Sequence, residues 1–379
     1  MISSPSTRAR ASLATVVLGS LLALAAACSG AGAGPASSPS PTQQAQVKTG
    51  NPARPVTITE SGSSLLLPYL QKLGPQLQAQ YSNIQLSPAA GGSGKGISDA
   101  IAGAVIMGGS DAYLSDAQAQ QNPDLLDIPI AVSAQLINYN LPGISNLHLS
   151  GDVLAKIYMG KITTWDDAAI KSLNPGASLP HTTIVPVRRI DSSGDTFIFT
   201  SFLTKTSAEW ANGPALGTSV SWPDVQGEVT ASGNPAMIQV CKGTPGCIAY
   251  IGVSVRQAAE QAGLGEALLK NRAGRFVSPD QGNITAAVNA QTEAIPKDLR
   301  QSLIYGPGEK SYPIVNYEYV LARSQQPEAG TGLAVRTFLT WAISPRGGAT
   351  AANLQAVNFV ALTPAAENEV KKEIAKIRP

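Results

Sequence analysis

The chain has 379 residues, 43% of them apolar and 14% charged, with 36 glycines and 27 prolines. That is too long for one ordinary core and about right for two domains of typical size. With 27 Lys and Arg against 25 Asp and Glu, no basic arm or patch stands out, which argues against nucleic acid as a partner.

MISSPSTRAR supplies Arg8 and Arg10, and ASLATVVLGSLLALAAAC then runs apolar and small to Cys28. A charged start, an apolar stretch and a small-residue zone make an export signal, expected over residues 1–27. The boundary cysteine resembles a bacterial lipobox, so lipidation of Cys28, with an acyl chain such as palmitate, is expected. Ala25 stands where Leu is favoured and Leu24 comes one place early; a plain secretory signal with an incidental cysteine is the alternative. SGAGAGPASSPSPTQQAQ has no charge and almost no large apolar side chain. It cannot bury enough surface to fold, so residues 28–52 read as a tether with a reach of roughly 27 Å. Loss of Arg8 and Arg10 with the leader turns 27 basic residues into 25, against 25 acidic. A chain of zero formal charge recruits no anion by its global field, so an anion site must be built locally. No later run is long and apolar enough to cross a bilayer.

The ordered part starts near Pro52. PVTITESGSSLLLPYLQKLGPQLQAQYS reads as a short strand, a Ser/Gly turn and a helix with apolar residues at helical spacing. NIQLSPAAGGSGKGISDAIAGA repeats the pattern, and IMGGSDAYLSDAQAQQ gives a third strand with an Asp-bearing turn. PIAVSAQLINYNL is extended and β-rich. TTIVPVRRIDSSGDTFIFTSFLTK brings another strand-to-helix turn. Near the end, YPIVNYEYVLA is a late β-run, followed by GTGLAVRTFLTWAIS and a closing helix, AAENEVKKEIAKI. Repeated strand, polar turn and helix indicate α/β layering with parallel strands, and ligands in such sheets sit beyond the strands' carboxyl ends. If the late run rejoins the first sheet, the chain crosses between lobes near Ile130 to Ser133 and again near Tyr312 to Ile314. Two crossings make a hinge with a cleft between the lobes. Lobe I is expected over 53–131 plus 313–379, and lobe II over 132–312.

QVCKGTPGCIAY holds Cys241 and Cys247. After an export signal an oxidised pair is the favoured reading, closing a short loop worth about 2 kcal/mol at best. His148 and His181 are the only histidines and neither is near in sequence, so no metal site is expected. TTWDD reads as packing plus a helix start, and NIT at 283 as a coincidental sequon.

The turns carry the chemistry. ESGSSLL offers Ser64 and backbone N–H groups, GGSGKGIS offers Ser93, SDAYLS offers Asp111, and RRIDSSGDTF offers Arg189, Asp191, Ser193, Gly194 and Asp195. A helix N-terminus presents unpaired N–H donors, and arginine adds a planar fork suited to oxyanions. GGSGKGIS lacks the glycine spacing and the Ser or Thr after Lys95 that a nucleotide loop needs. Plainer roles are a helix cap for Asp111 and a surface ion pair for Arg189 and Asp191.

SGSS, GSGKGI, GGSDAYLS, QLINYNLPG, GKITTWDDAAIKSLNPG, RIDSSGDTFIFTSFL, PGCIAYIG and YPIVNYEY together carry a specific likeness. From about residue 55 to its end, the chain resembles the substrate-binding lipoprotein of the phosphate-specific (Pst) ABC importer, mycobacterial or actinobacterial type. The resemblance implies a two-lobed type II periplasmic-binding-protein fold, α/β in each lobe, with a two-strand hinge. It implies phosphate binding without a cofactor or catalysis, and delivery to permease subunits and, through them, to an ATPase. The membrane would be met through the lipid anchor, on the extracytoplasmic face of a bacterial cell.

The resemblance also implies the phosphate contacts. Ser64 would give its hydroxyl and N–H, Leu65 its N–H, and Ser93 its hydroxyl. Arg189 would pair with phosphate oxygens while Asp191 holds the guanidinium in place. Ser193 and Gly194 would donate, and Asp111 would accept a proton from the ligand. Leu65 replaces a common Phe, Ser192 the usual Gly, and Asp195 a Thr found in many relatives. Acids suit this site because phosphate keeps a proton near neutrality and sulfate keeps none. A buried carboxylate is acceptor-only: it pairs with P–OH and repels a bare dianion at about 4 Å by roughly 4 kcal/mol. With the missing hydrogen bond, discrimination reaches about three to four powers of ten. Asp195 is a candidate second proton reader.

Two other functions remain in view. A phosphatase-like enzyme would need Ser64, Ser93 or Ser193 activated, yet no histidine lies near them in sequence. A binding protein for another oxyanion, such as sulfate or molybdate, should avoid a ligand-facing acid like Asp111. A surface adhesion role is compatible with transport.

Overall fold

The computed structural model describes residues 47–291 and 294–379. The expected leader, Cys28 and the tether up to residue 46 lie outside the described residues. Those described make one compact unit, built on strands β1 (Val56–Gly62), β2 (Ile84–Ala90), β3 (Met107–Ser110) and β4 (Leu125–Tyr139). β5 (His148–Leu149), β6 (Val185–Arg189), β7 (Val229–Ala231) and β8 (Cys247–Gly252) follow. The last are β9 (Gly265–Glu266), β10 (Leu268–Lys270), β11 (Phe276–Val277) and β12 (Val315–Arg323).

The main sheet runs β2-β1-β3-β12-β4-β8-β6-β7, with β9 also on β4; β11-β10-β5 form a small second sheet. β1 is parallel to β2 and β3, and β6 is parallel to β7 and β8. The expectation of parallel strands fails in the middle. β12 is antiparallel to both β3 and β4, and β4 is antiparallel to β8. The fold is therefore mixed α/β. β12 returns from far along the chain and enters between β3 and β4, which no local strand–turn–helix pattern can announce.

β4 is buried along its whole length. It pairs with β12 from Leu125 to Ala134 and with β8 from Gln135 to Tyr139, so its partner changes between Ala134 and Gln135. The Tyr312 hydroxyl donates to the Gln135 carbonyl at 2.8 Å beside this change.

Helices follow β1, β2 and β3, as the strand–turn–helix pattern predicts. Helix Leu67–Gln80 buries Tyr69, Leu70, Leu73 and Leu77, one stripe at helical spacing. Helix Ser93–Ala102 ends at Gly103, whose φ of +67° takes the left-handed conformation that glycine adopts without cost from a Cβ. Beneath β6 and β8, Phe199 stacks on Tyr250 with centroids 4.6 Å apart, and Tyr158 meets Phe199 edge-on at 4.8 Å. Trp165 of TTWDD is buried with its ring N–H on the Gly246 carbonyl, and Asp167 caps helix Ala168–Leu173. Cys241 and Cys247 are disulfide-bonded with Cα atoms 5.3 Å apart, tying the end of helix Gly233–Gly243 to β8. Among the described residues, no helix is long and apolar enough to cross a membrane.

Candidate functional site

The turns after β1, β2, β3 and β6 converge on one buried polar cluster. Gly62 (φ +148°) lets the end of β1 close directly onto the Gly109 backbone of β3, where any Cβ would collide. This contact sets Ser63 beside Asp111. The Ser63 hydroxyl accepts from the N–H groups of Leu65 (3.0 Å) and Leu66 (2.9 Å) and donates to Asp111 Oδ1. Ser93, the first residue of its helix, accepts the Asp111 N–H at 3.1 Å and donates to Asp111 Oδ2 at 3.2 Å. Asn316 of β12 donates to the Asp111 carbonyl.

Asp111 is 1% exposed and has no ion-pair partner among the described residues. Burial pushes its carboxyl up to about 7, and the charge of Asp195 adds to that. The Ser63 hydroxyl, the neighbouring Glu318 carboxyl and the charge of Arg189 oppose it. Asp111 caps no helix; Ser115 caps helix Asp116–Gln121.

Arg189 ends β6, with its side chain 1% exposed, so it is no surface ion pair. Its Nε donates to Asp191 Oδ1 at 2.7 Å, Nη2 to Asp191 Oδ2, and Nη1 to Asp195 Oδ2. Of the five guanidinium N–H donors, these bonds use three. The Tyr250 hydroxyl takes the Arg189 backbone N–H at 2.9 Å and pairs with Thr196 at 2.8 Å, so the aromatic cluster fixes the strand end. Burial works against the Arg189 charge, but its two carboxylates hold the guanidinium above its usual range. Burial likewise works to raise Asp191, and the bonds and charge of Arg189 outweigh it. Asp195 ends up raised, because burial exceeds the help of Arg189, Gln135 and Asn234.

Ser193 caps helix Gly194–Thr206, accepting from Thr196 N, while its own N–H donates to the Thr218 carbonyl. A Cβ on Gly194 would strike both Asp111 and Ser93, so glycine is what lets this helix start reach the acid. Ser192 packs in the same way against Gly94, whose N–H donates to the Ser192 carbonyl at 2.9 Å.

All nine expected residues thus fall in one connected network, with two differences of detail. The Leu65 N–H is already donated to Ser63, and the Leu65 side chain, fully buried, packs on Gly252. Asp195 is bound to Arg189 directly.

Besides Asn316 and Tyr250, four members of the network were not among the expected residues. Asn234 opens helix Gly233–Gly243; its Nδ2 donates to Ser64 Oγ (3.1 Å) and to Asp195 Oδ2 (2.9 Å), and its Oδ1 accepts from Gly252 N (2.8 Å). Because the Asn234 N–H also reaches Ser64 Oγ at 3.2 Å, the Ser64 hydroxyl is acceptor to Asn234 and keeps its own hydrogen to donate. Gln135 donates to Asp195 Oδ1 at 3.2 Å. Ser63 and the buried Glu318 complete the set. ASGNPAM had the same strand–turn–helix signature as the other turns, and Glu318 stood out as an acid inside the apolar run of YPIVNYEYVLA.

Helix starts, serine hydroxyls and one guanidinium make this a donor-rich oxyanion seat. It lacks the parts of a hydrolytic triad: His148 stacks on Phe276 and faces the Leu173 carbonyl, and His181 pairs with Asp166. Among the described residues, no group of His, Cys, Asp and Glu could hold a metal.

Comparison with known proteins gives a consistent picture. The model of the PBP superfamily domain matches residues 36–346. The phosphate-binding protein PstS of Methanocaldococcus jannaschii is 34% identical over 312 residues, covering 76% of this chain and 79% of that one. Phosphate-binding protein PstS 2 of Mycobacterium tuberculosis is 33% identical over 273 residues, covering 68% and 70%. In fold, the chain resembles PfluDING, a high-affinity periplasmic phosphate-binding protein solved with phosphate bound. The TM-score is 0.68 at 24% identity, over 84% of this chain and 93% of that one.

Proposed function

The chain belongs to the PstS phosphate-binding proteins, within the PBP superfamily, and we propose that it captures inorganic phosphate and delivers it to an ABC permease for import. It acts as a binding protein and not as an enzyme. Ser64, Leu65, Ser93, Asp111, Arg189, Asp191, Ser193, Gly194 and Asp195 form the phosphate site, with Asn234 and Ser63 holding them in register. Residues 53–131 plus 313–379 act as one lobe and 132–312 as the other. They close over the ligand, and the permease distinguishes the closed form from the open one. Cys28, lipidated after export, tethers the protein to the extracytoplasmic face of the cell membrane.

The observation that carries this reading is the buried Asp111 carboxyl, set among serine donors and one helix start with no cation of its own. Such a group accepts a hydrogen from a protonated oxyanion and rejects an aprotic one. Calorimetric titration of the protein with phosphate and with sulfate at pH 8 tests it. The expected preference for phosphate is at least about thousandfold, some 4 kcal/mol. Sulfate held as tightly as phosphate sinks the assignment.

A further inference from the structure

Glu318 lies in the middle of β12 and is fully buried. On one side the Ser133 hydroxyl of β4 donates to its Oε1. On the other, the antiparallel pairing of Tyr319 with Ser110 sets Glu318 beside Asp111. Glu318 Oε2 is buried with no other hydrogen-bond partner among the described residues, and the charges of Asp111 and, more weakly, Asp195 act on it. Arg189, the cation of the cluster, is bound to Asp191 and Asp195. Asn316, two residues earlier on the same strand, serves the Asp111 carbonyl and not the Glu318 carboxyl.

Two adjacent buried carboxyls do not both ionise; they share one proton. Its position follows from the neighbours. Asp111 receives two serine hydroxyls and lies within the field of Arg189, whereas Glu318 receives only Ser133. We propose that Glu318 is a neutral acid whose O–H donates to Asp111, keeping Asp111 ionised, so that Glu318 is a positioning residue for oxyanion selectivity. This rests on the phosphate reading for its consequence, though not for the proton itself. The titration directions agree: burial and then the Asp111 charge hold Glu318 well above the usual carboxylate range, and the same bond lowers Asp111.

With the Glu318 donor removed, Asp111 gains a proton more readily. A protonated Asp111 offers an O–H to sulfate, and the rejection weakens. Glu318→Gln retains a donor without a titrating proton, whereas Glu318→Leu removes the donor. On the full chain at pH 7.5, calorimetry is expected to show the phosphate-to-sulfate affinity ratio within about threefold of wild type for Glu318→Gln. For Glu318→Leu it falls at least about tenfold, the equivalent of one pKa unit at Asp111. Independently of any ligand, the infrared difference between wild type and Glu318→Gln is expected to contain the C=O band of a protonated carboxyl. A missing band overturns the proposal even if Glu318→Leu fails to fold, and so does a Glu318→Leu ratio equal to wild type. A wild type that does not discriminate sinks the phosphate reading instead, and the band still decides where the proton resides.

Discussion

Asp111 and Asp195 are equally buried, each 1% exposed, yet their surroundings differ in kind. Around Asp111 the partners are hydroxyls, from Ser63 and Ser93. Around Asp195 they are a guanidinium and two side-chain amides, from Arg189, Asn234 and Gln135. A hydroxyl can turn from donor to acceptor when a proton arrives, so the Asp111 side can change protonation near neutrality without leaving a charge unpaired. A guanidinium cannot turn, so the Arg189 side is fixed in geometry and keeps its cation at every pH near neutrality. On the proposed reading, one region senses the ligand's proton and the other anchors its charge.

The comparison breaks most completely at Arg189. Arg189→Ala leaves the buried Asp195 and the half-buried Asp191 without their cation, a change that costs about 3–5 kcal/mol of stability. Denaturant unfolding should show that loss, and calorimetry should show phosphate affinity reduced by at least about a thousandfold. Wild-type affinity in this variant would mean that the anchor lies elsewhere.

On the other side, Asp111→Asn replaces an acceptor-only group with one that also donates. The expected outcome is a phosphate-to-sulfate ratio lower by about a hundredfold or more, with little change in melting temperature, since an amide also suits Ser63 and Ser93. In the wild type the same ratio should shrink as pH falls below about 7, where Asp111 protonates. A pH-independent ratio would detach Asp111 from selectivity.

Glu60 on β1, like Asp111, has no ion-pair partner among the described residues. It is 3% exposed, and burial pushes its carboxyl up to about 8. An acid with a raised folded-state pKa contributes full stability below its unfolded value, near 4.5, and loses it as pH rises through 8. Folded protein binds the extra proton in that window, so stability declines by up to several kcal/mol, at about 1.4 kcal/mol per pKa unit. Glu60→Gln should abolish the decline, melting like wild type at pH 4.5 and several degrees higher at pH 8. Equal slopes in the two proteins would contradict it.

The smallest effect is expected from Asp195→Thr. Threonine keeps a hydrogen-bonding group near Asn234 and frees Nη1 of Arg189 for the ligand, so phosphate affinity at pH 7 should stay within about tenfold. Its pH dependence should change, because a buried titrating group has gone. Superimposable affinity curves between pH 5 and 8 would remove Asp195 from the mechanism.

The donors were legible because each sits in a local pattern. A serine or glycine between a β-run and an apolar helical stripe marks a helix start wherever the strand goes, and Ser64, Ser93, Ser193 and Gly194 were all found that way. Arg189 and Asp191 were readable as a pair because they are two residues apart on one turn. What escaped were the partners supplied across the sheet: Gln135 and Asn234 for Asp195, and Asn316 and Glu318 for Asp111. Ser63 escaped differently, as one of several equivalent serines in a single turn.

From the amino-acid order alone came the alternation of strands and helices, the polar turns and the acids among them, since these depend on neighbours a few residues apart. Tertiary structure alone decided that β12 runs antiparallel between β3 and β4. That insertion brings Glu318 to Asp111 across 207 positions of sequence, 111 to 318. Whether a buried carboxyl carries a proton depends on the groups packed around it in space, and strand order, not spacing along the chain, chooses those groups.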